Sequence, residues 1–251
     1  MNPLDSSEIN NQSKYPDLSI KHLESSIIKS VENNIITFIS SKTGSGKSTQ
    51  VPQYLYKYML NIKNKKSFNI ICVEPRAIAS DSITEFIKSK NKNIKIYKSI
   101  EKKFIELKEP KLFIIKENDL LFQLKLDPYL KYCDILIIDE VHERTMKLEL
   151  LLYYIKYFTL SDDNNIKRGF KLVLMSATFD IDNIYSYFSS IKENNNITFG
   201  FVKQNELNLI QDNNYDIIYS KYINNSIRKE NNKLNEYNMA KILREIAKIV
   251  R

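Results

Sequence analysis

Residues 40–49, Ser-Ser-Lys-Thr-Gly-Ser-Gly-Lys-Ser-Thr, constrain this chain more than any other stretch. A β-branched apolar run, Ile35-Ile36-Thr37-Phe38-Ile39, leads in, and Gln50-Val51-Pro52-Gln53-Tyr54-Leu55 leads out, so the stretch falls where a strand turns into a helix. Glycines there let successive backbone N–H groups point inward around an anion, and a helix beginning after Gly46 adds the positive end of its dipole. This is the pattern of a phosphate-binding loop. Thr43, Gly44, Ser45, Gly46, Lys47, Ser48 and Thr49 are the expected nucleotide contacts, with Lys47 reaching the β- and γ-phosphates and the Ser48 hydroxyl holding Mg²⁺. Ser41 stands where the pattern opens with glycine. The competing interpretation, a Gly/Ser turn that merely carries a lysine, is opposed by the strand before and the helix after.

The rest of the chain repeats the alternation. Apolar positions Ile20, Leu23, Ile27, Ile28 and Val31 recur at helical spacing and predict an amphipathic helix over 18–31. Strands are expected at 69–73, 94–97, 112–115, 134–140, 171–176 and 197–202, and helices at 78–88, 120–126 and 148–158. The run Ile135-Ile138 is apolar throughout, as a strand covered on both faces must be. Strands alternating with helices make an α/β fold with a doubly wound, mostly parallel sheet and helices on both faces, whose ligands lie beyond the carboxyl ends of its strands. Residues 1–14 are polar. Residues 204–232 are rich in Asn, Asp, Tyr and Lys and read as a linker, and 234–250 carries Met239, Ile242, Leu243, Ile246 and Ile249 at helical spacing. The expected division is therefore a polar segment 1–14, one domain over 15–203, and a linker with an amphipathic helix over 204–251.

Asp139-Glu140-Val141-His142-Glu143-Arg144 forms the second constellation, at the carboxyl end of the most apolar strand. Beside a phosphate loop, Asp139 would bind Mg²⁺ through water, and Glu140 would orient and deprotonate the water that attacks the γ-phosphate. His142 would sit between the nucleotide and a neighbouring domain. An acidic helix N-terminus would also favour these carboxylates, but the phosphate loop upstream argues for the chemical interpretation.

Charge and cysteine usage narrow the partners. The formal net charge of +8 suits a polyanion, although the excess is scattered through Asn/Lys/Ile-rich sequence. Cys72 and Cys133 both lie in apolar runs and read as buried thiols of an intracellular, reducing compartment, with nucleus and cytoplasm not distinguished. No stretch approaches the roughly 18 consecutive apolar residues of a membrane span.

Taken together, Thr43 to Gln53, Asp139-Glu140-Val141-His142-Glu143-Arg144-Thr145 and Ser176-Ala177-Thr178 resemble the first RecA-like domain of a DEAH-box (DExH) RNA helicase of superfamily 2. The similarity runs over residues 15–188. Its Asp-Glu-Val-His spelling, with valine where most cellular members have alanine, also occurs in viral members. The resemblance implies a catalytic group of Glu140, Lys47 and His142, metal held by Ser48 and Asp139, and ATP or another nucleoside triphosphate with Mg²⁺ as cofactors. It further implies nucleic-acid backbone contacts from Arg76, in Glu74-Pro75-Arg76, and from Lys116 and Asn118, and coupling of the two sites through Ser176 and Thr178. Single-stranded or partly duplex RNA is the implied partner, with DNA an alternative.

Several positions depart from the family. Ala77 replaces a second arginine, Lys116-Glu117-Asn118 replaces Thr-Asp-Gly, and Phe86 lies near the place of an arginine that stacks on adenine. Asn118 is expected to keep the second turn by tolerating a left-handed backbone. The chain has four glycines, and only Gly200 follows Thr178, so the glycine-rich arginine-finger motif of a second RecA-like domain is not in this sequence. Such an arginine is worth about 10³ to 10⁵ in rate. The expected function is thus an NTP-dependent RNA helicase domain that hydrolyses weakly without a second RecA-like domain or a partner's arginine. The alternative is a nucleotide-gated nucleic-acid-binding or regulatory module with little turnover.

Overall fold

A computed structural model describes residues 19–62, 66–102, 108–177, 181–190 and 197–204. The expectations for 1–14, for the linker and helix of 204–251 beyond Gln204, and for Thr178 lie outside these residues.

Seven strands form one sheet: β1 (Ile36–Ser40), β2 (Asn69–Glu74), β3 (Ile96–Tyr97), β4 (Lys111–Lys116), β5 (Ile135–Ile138), β6 (Lys171–Ser176) and β7 (Phe199–Lys203). Their order is β3-β4-β2-β5-β6-β1-β7, and every neighbouring pair is parallel. The helices between them are α1 (Glu24–Asn33), α2 (Lys47–Asn61), α3 (Ala77–Lys90), α4 (Glu117–Leu126), α5 (Met146–Tyr154), α6 (Asp163–Lys167) and α7 (Ile181–Ser189). A parallel sheet needs a crossover between strands, and those crossovers cover both faces with helices.

The pleat divides each strand between two cores. Ile36, Phe38, Ile71, Val73, Phe113, Ile115, Leu136, Ile138, Leu172 and Leu174 face one side, against Leu120, Leu124, Leu148, Leu151 and Phe188 of the helices there. Ile39, Ile70, Cys72, Leu112, Ile114, Ile135, Ile137, Val173 and Met175 face the other, against Ile27, Val31, Val51, Leu55, Ile83 and Ile87. Successive residues point to opposite faces, so a strand covered twice must be apolar at every position. Both thiols are free and buried, Cys72 in one core and Cys133 in the other.

Several elements differ from the periodicity. The first helix opens with a 3₁₀ turn at Ser19–Leu23, whose Ile20 N–H donates to Ser45 O (3.2 Å) and so ties the chain entry to the phosphate loop. The helix expected at 148–158 is α-helical only to Tyr154, and Ile155–Thr159 continues as a π turn. The strand over 94–97 shrinks to an edge pair, and the short α6 carries too few apolar positions to signal itself.

The left-handed turn expected at Asn118 is absent. The positive-φ residues other than glycine among those described are Leu130, Glu140 and Arg144. The chain passes from β4 straight into α4, Lys116 being the extended residue before it (φ −90°, ψ 160°) and Glu117 and Asn118 its first turn. Asp119 explains the difference: its Oδ2 accepts the Lys116 backbone N–H (3.2 Å), capping the helix one turn earlier than a glycine-based turn would.

Candidate nucleotide site and its nucleic-acid face

Strand order assembles the site. β6 lies between β1 and β5, with Ser40 beside Ser176 and Ile138 beside Leu174, so the phosphate loop and the acidic segment leave the sheet on either side of Ser176. β2 flanks β5 on its other side, with Val73 beside Ile138, which sets Glu74 next to Asp139.

In the loop, Gly44 and Gly46 have φ of 78° and 91°, backbone that L side chains rarely adopt. Gly46 precedes the first turn of α2 and accepts from Thr49 N and Gln50 N (3.2 and 2.8 Å). Ser41, at the position of the missing glycine, is buried. Its hydroxyl meets that of Ser45 at 2.8 Å, and its N–H donates to Ser176 O (3.2 Å). The serine therefore braces the loop across its own width and anchors it to β6.

Lys47 begins α2 and is buried, its Nζ 3.4 Å from Glu140 Oε1. Asp139 is fully buried; its Oδ1 accepts the Glu140 N–H (2.7 Å), while Oδ2 has no hydrogen-bond partner. That local bond turns the chain out of β5 and leaves Glu140 left-handed, with φ 50° and ψ 42°. A non-glycine residue there costs of order 1–3 kcal/mol and persists only where its surroundings hold it. Burial chiefly, and then the Glu140 charge, push the Asp139 carboxyl upward, against the Ser48 hydroxyl and the Lys47 ammonium, which pull it down.

His142 Nδ1 lies 3.2 Å from Glu140 Oε2 and 3.1 Å from Ser176 Oγ. The expected place of His142 is thereby specified: it bridges the carboxylate at the end of β5 to the hydroxyl at the end of β6. Lys47, Ser48, Asp139, Glu140, His142 and Ser176 form one connected group, with Thr43, Gly44, Ser45, Gly46 and Thr49 around it.

On the neighbouring face, Arg76 is largely exposed, and its guanidinium pairs with Glu143 Oε1 (2.6 Å). Lys116 and Asn118 are exposed at the start of α4. Phe86 packs, half-buried, on the core that holds Ile83 and Ile87.

Three residues escape the motif interpretation. Glu74 is buried, its Oε1 unpartnered, and its carboxyl is pushed up to about 10, first by burial and then by Asp139. Glu143 holds Arg76. Glu117 is buried and accepts from the Thr145 hydroxyl (2.9 Å), which also caps α5 by accepting from Leu148 N (3.1 Å). A carboxylate closing an apolar run signals Glu74; only the strand order names its neighbour.

The donor set suits a hard divalent cation. An orphaned, fully buried carboxylate oxygen on Asp139 beside the Ser48 hydroxyl is oxygen chemistry, as Mg²⁺ requires. Among the described residues no cluster of three or more His, Cys, Asp or Glu is placed to hold a metal by protein ligands alone. That also fits Mg²⁺, which binds through one or two carboxylates plus substrate phosphates. No described helix is long and apolar enough to cross a membrane.

Comparison with known proteins agrees with this geometry. Residues 22–187 match the DEAD/DEAH box helicase family. The ATP-dependent RNA helicase TDRD9 of Mus musculus is 32% identical over 183 residues, covering 70% of this chain and 12% of that protein. The ATP-dependent RNA helicase HrpA of Borreliella burgdorferi is 32% identical over 177 residues, covering 69% of this chain and 20% of its own length. In structure, the chain is similar to the Escherichia coli DEAH/RHA helicase HrpB, with a TM-score of 0.55 and 22% identity over 69% of this chain and 21% of that one. This chain thus spans between about an eighth and a fifth of the length of these relatives.

Proposed function

Because this chain belongs to the DEAD/DEAH box helicase family, we propose that it is the ATP-binding domain of an NTP-dependent RNA helicase, coupling nucleotide hydrolysis to nucleic acid binding. The observation that carries this reading is the connected group Lys47, Glu140, His142 and Ser176 at the carboxyl ends of three adjacent strands.

In this reading the phosphate loop, Thr43 to Thr49, wraps the phosphate chain with its N–H groups, and Lys47 neutralises charge on the β- and γ-phosphates. Ser48 and Asp139 would hold Mg²⁺, which when bound offsets the charge developing between those phosphates. Glu140 orients the attacking water and takes its proton. Its left-handed backbone aims the carboxylate at Lys47 instead of along the strand. His142 holds Glu140 and hands its position to Ser176, and Thr178 is assigned to the same coupling role. Arg76, Lys116 and Asn118 are assigned to phosphates of a single-stranded or partly duplex RNA. Two of these stand at helix N-termini, where backbone N–H groups also favour anions.

Arginine fingers would come from a second RecA-like domain or a partner. Without one, hydrolysis is slower by about 10³ to 10⁵, and the chain acts as the nucleotide-holding half of the machine.

The test is steady-state ATP hydrolysis with and without single-stranded RNA, beside Glu140→Gln. Turnover stimulated by RNA and abolished in E140Q supports the reading. Absence of ATP binding by the unaltered chain would overturn it.

A further inference from the structure

Two turns on the nucleic-acid face dock onto one short segment, residues 140–145. Arg76, from the end of β2, meets Glu143 at 2.6 Å. Glu117, from the end of β4, accepts from Thr145 at 2.9 Å. Between these anchors, Val141–Glu143 forms a single 3₁₀ turn flanked by two left-handed residues, Glu140 (φ 50°) and Arg144 (φ 45°). The Glu143 N–H donates to Glu140 O (2.9 Å), so whatever holds the Glu143 side chain also holds the backbone of Glu140.

The pair is unequal in exposure. The Arg76 side chain is 75% exposed and that of Glu143 only 18%. The carboxylate is seated, while the guanidinium reaches it from solvent and stays open to another anion. A guanidinium binds carboxylate and phosphate with the same fork of donors, so the two compete for one site.

We infer that Glu143 is a built-in anion that occupies Arg76 until a nucleic-acid phosphate takes it, and that this exchange frees the turn carrying Glu140. The inference rests on the assignment of Arg76 to the nucleic acid backbone proposed above and adds its regulation: strand binding is opposed by an internal carboxylate, and its success is reported three residues away at the proposed base. Arg144 does not substitute for Arg76 in this, because it pairs with Glu149 (3.0 Å).

The experiment measures binding of a fluorescein-labelled oligouridylate to the full chain over a salt series, for the unaltered protein, E143Q, R76Q and R76Q/E143Q. Binding of a fluorescent ATP analogue is followed in parallel and verifies that each variant is folded. E143Q should bind the oligonucleotide about fivefold more tightly, the scale of one partly exposed ion pair. Its plot of log affinity against log salt should steepen by roughly 0.7, the value of one extra phosphate neutralised on a single strand. R76Q/E143Q should show neither gain. If E143Q loses nucleotide binding, E143D, which keeps the charge on a shorter arm, takes its place and should tighten binding in smaller measure.

An E143Q affinity and salt slope equal to those of the unaltered chain would overturn the exchange while leaving the proposed function standing. A gain that survives in R76Q/E143Q would overturn it equally. Failure of every variant to bind the oligonucleotide, with nucleotide binding intact, would overturn both the exchange and the nucleic-acid half of the proposed function.

Discussion

Ser176 Oγ lies 3.1 Å from His142 Nδ1, and the same ring nitrogen lies 3.2 Å from Glu140 Oε2, so a single imidazole joins the end of β6 to the carboxylate at the end of β5. Ser176 is fully buried, and its carbonyl also accepts the Ser41 N–H. One residue thus touches the phosphate loop through its backbone and the acidic segment through its side chain.

Ser176→Ala removes the hydroxyl and leaves the strand bond. Nucleotide affinity should stay within about twofold, while RNA stimulation of hydrolysis should fall about tenfold, the worth of one hydrogen bond near 1.4 kcal/mol. Turnover measured with and without RNA, beside equilibrium nucleotide binding, separates the two. A uniform loss of nucleotide affinity would refute the coupling role.

Glu74→Gln should stabilise the protein. The Glu74 carboxyl has an ordinary value of 4.5 and is raised to about 10 in the fold, by burial first and then by Asp139. Between those values the unfolded chain has released the proton that the folded chain keeps, so Glu74 makes stability fall as pH rises. Glutamine keeps the shape and the capacity to donate toward Asp139 without that liability. Urea titrations of the two proteins should show a gain of about 1–2 kcal/mol near neutral pH. The gain should shrink as pH falls toward 4.5. A gain independent of pH would count against this account.

Lys156 in the π turn is buried, its Nζ 4.0 Å from the Tyr187 ring centre and 5.0 Å from that of Tyr157. Burial lowers it from 10.5 to about 8. Below both values it is charged in either state and the full desolvation cost applies; between them the folded state alone sheds the proton, so stability rises with pH. The cation–π contacts offset part of that cost. Lys156→Met should therefore gain about 1 kcal/mol at neutral pH and abolish the alkaline rise, as read from melting temperatures across that range.

Gly200 in β7 lies against α1: a Cβ there would press on Ser30 Oγ and on the Asn34 side chain. Asn34 Nδ2 is already committed to Ser30 O (2.8 Å), so neither group yields cheaply. Gly200→Ala should cost about 1–3 kcal/mol. The cheapest check is the urea midpoint, and an unchanged midpoint would mean that α1 shifts away freely.

The strand-loop-helix of 36–61 could be read directly from sequence, because a phosphate loop is local: adjacent glycines, a β-branched run before and helical spacing after. The same holds for Asp139 and Glu140 as the acidic end of a wholly apolar strand, since burial on both faces leaves its mark at every position of Ile135–Ile138. Turn chemistry was less legible. Asn118 suggested a left-handed turn, and the Asp119 cap, a contact between neighbours that periodicity does not register, drew it into a helix instead.

What only the tertiary structure decided is which strand ends stand side by side. Periodicity predicts that a strand exists but carries nothing about its neighbours, and the crossovers that place β6 between β1 and β5, and β2 beside β5, are choices of topology. From that order follow Ser176 against His142, Glu74 against Asp139 and Arg76 against Glu143. Each is a contact between charged or polar groups far apart in sequence. Residue types named the chemistry available to this chain, and the packing of parallel strands selected which of those groups meet.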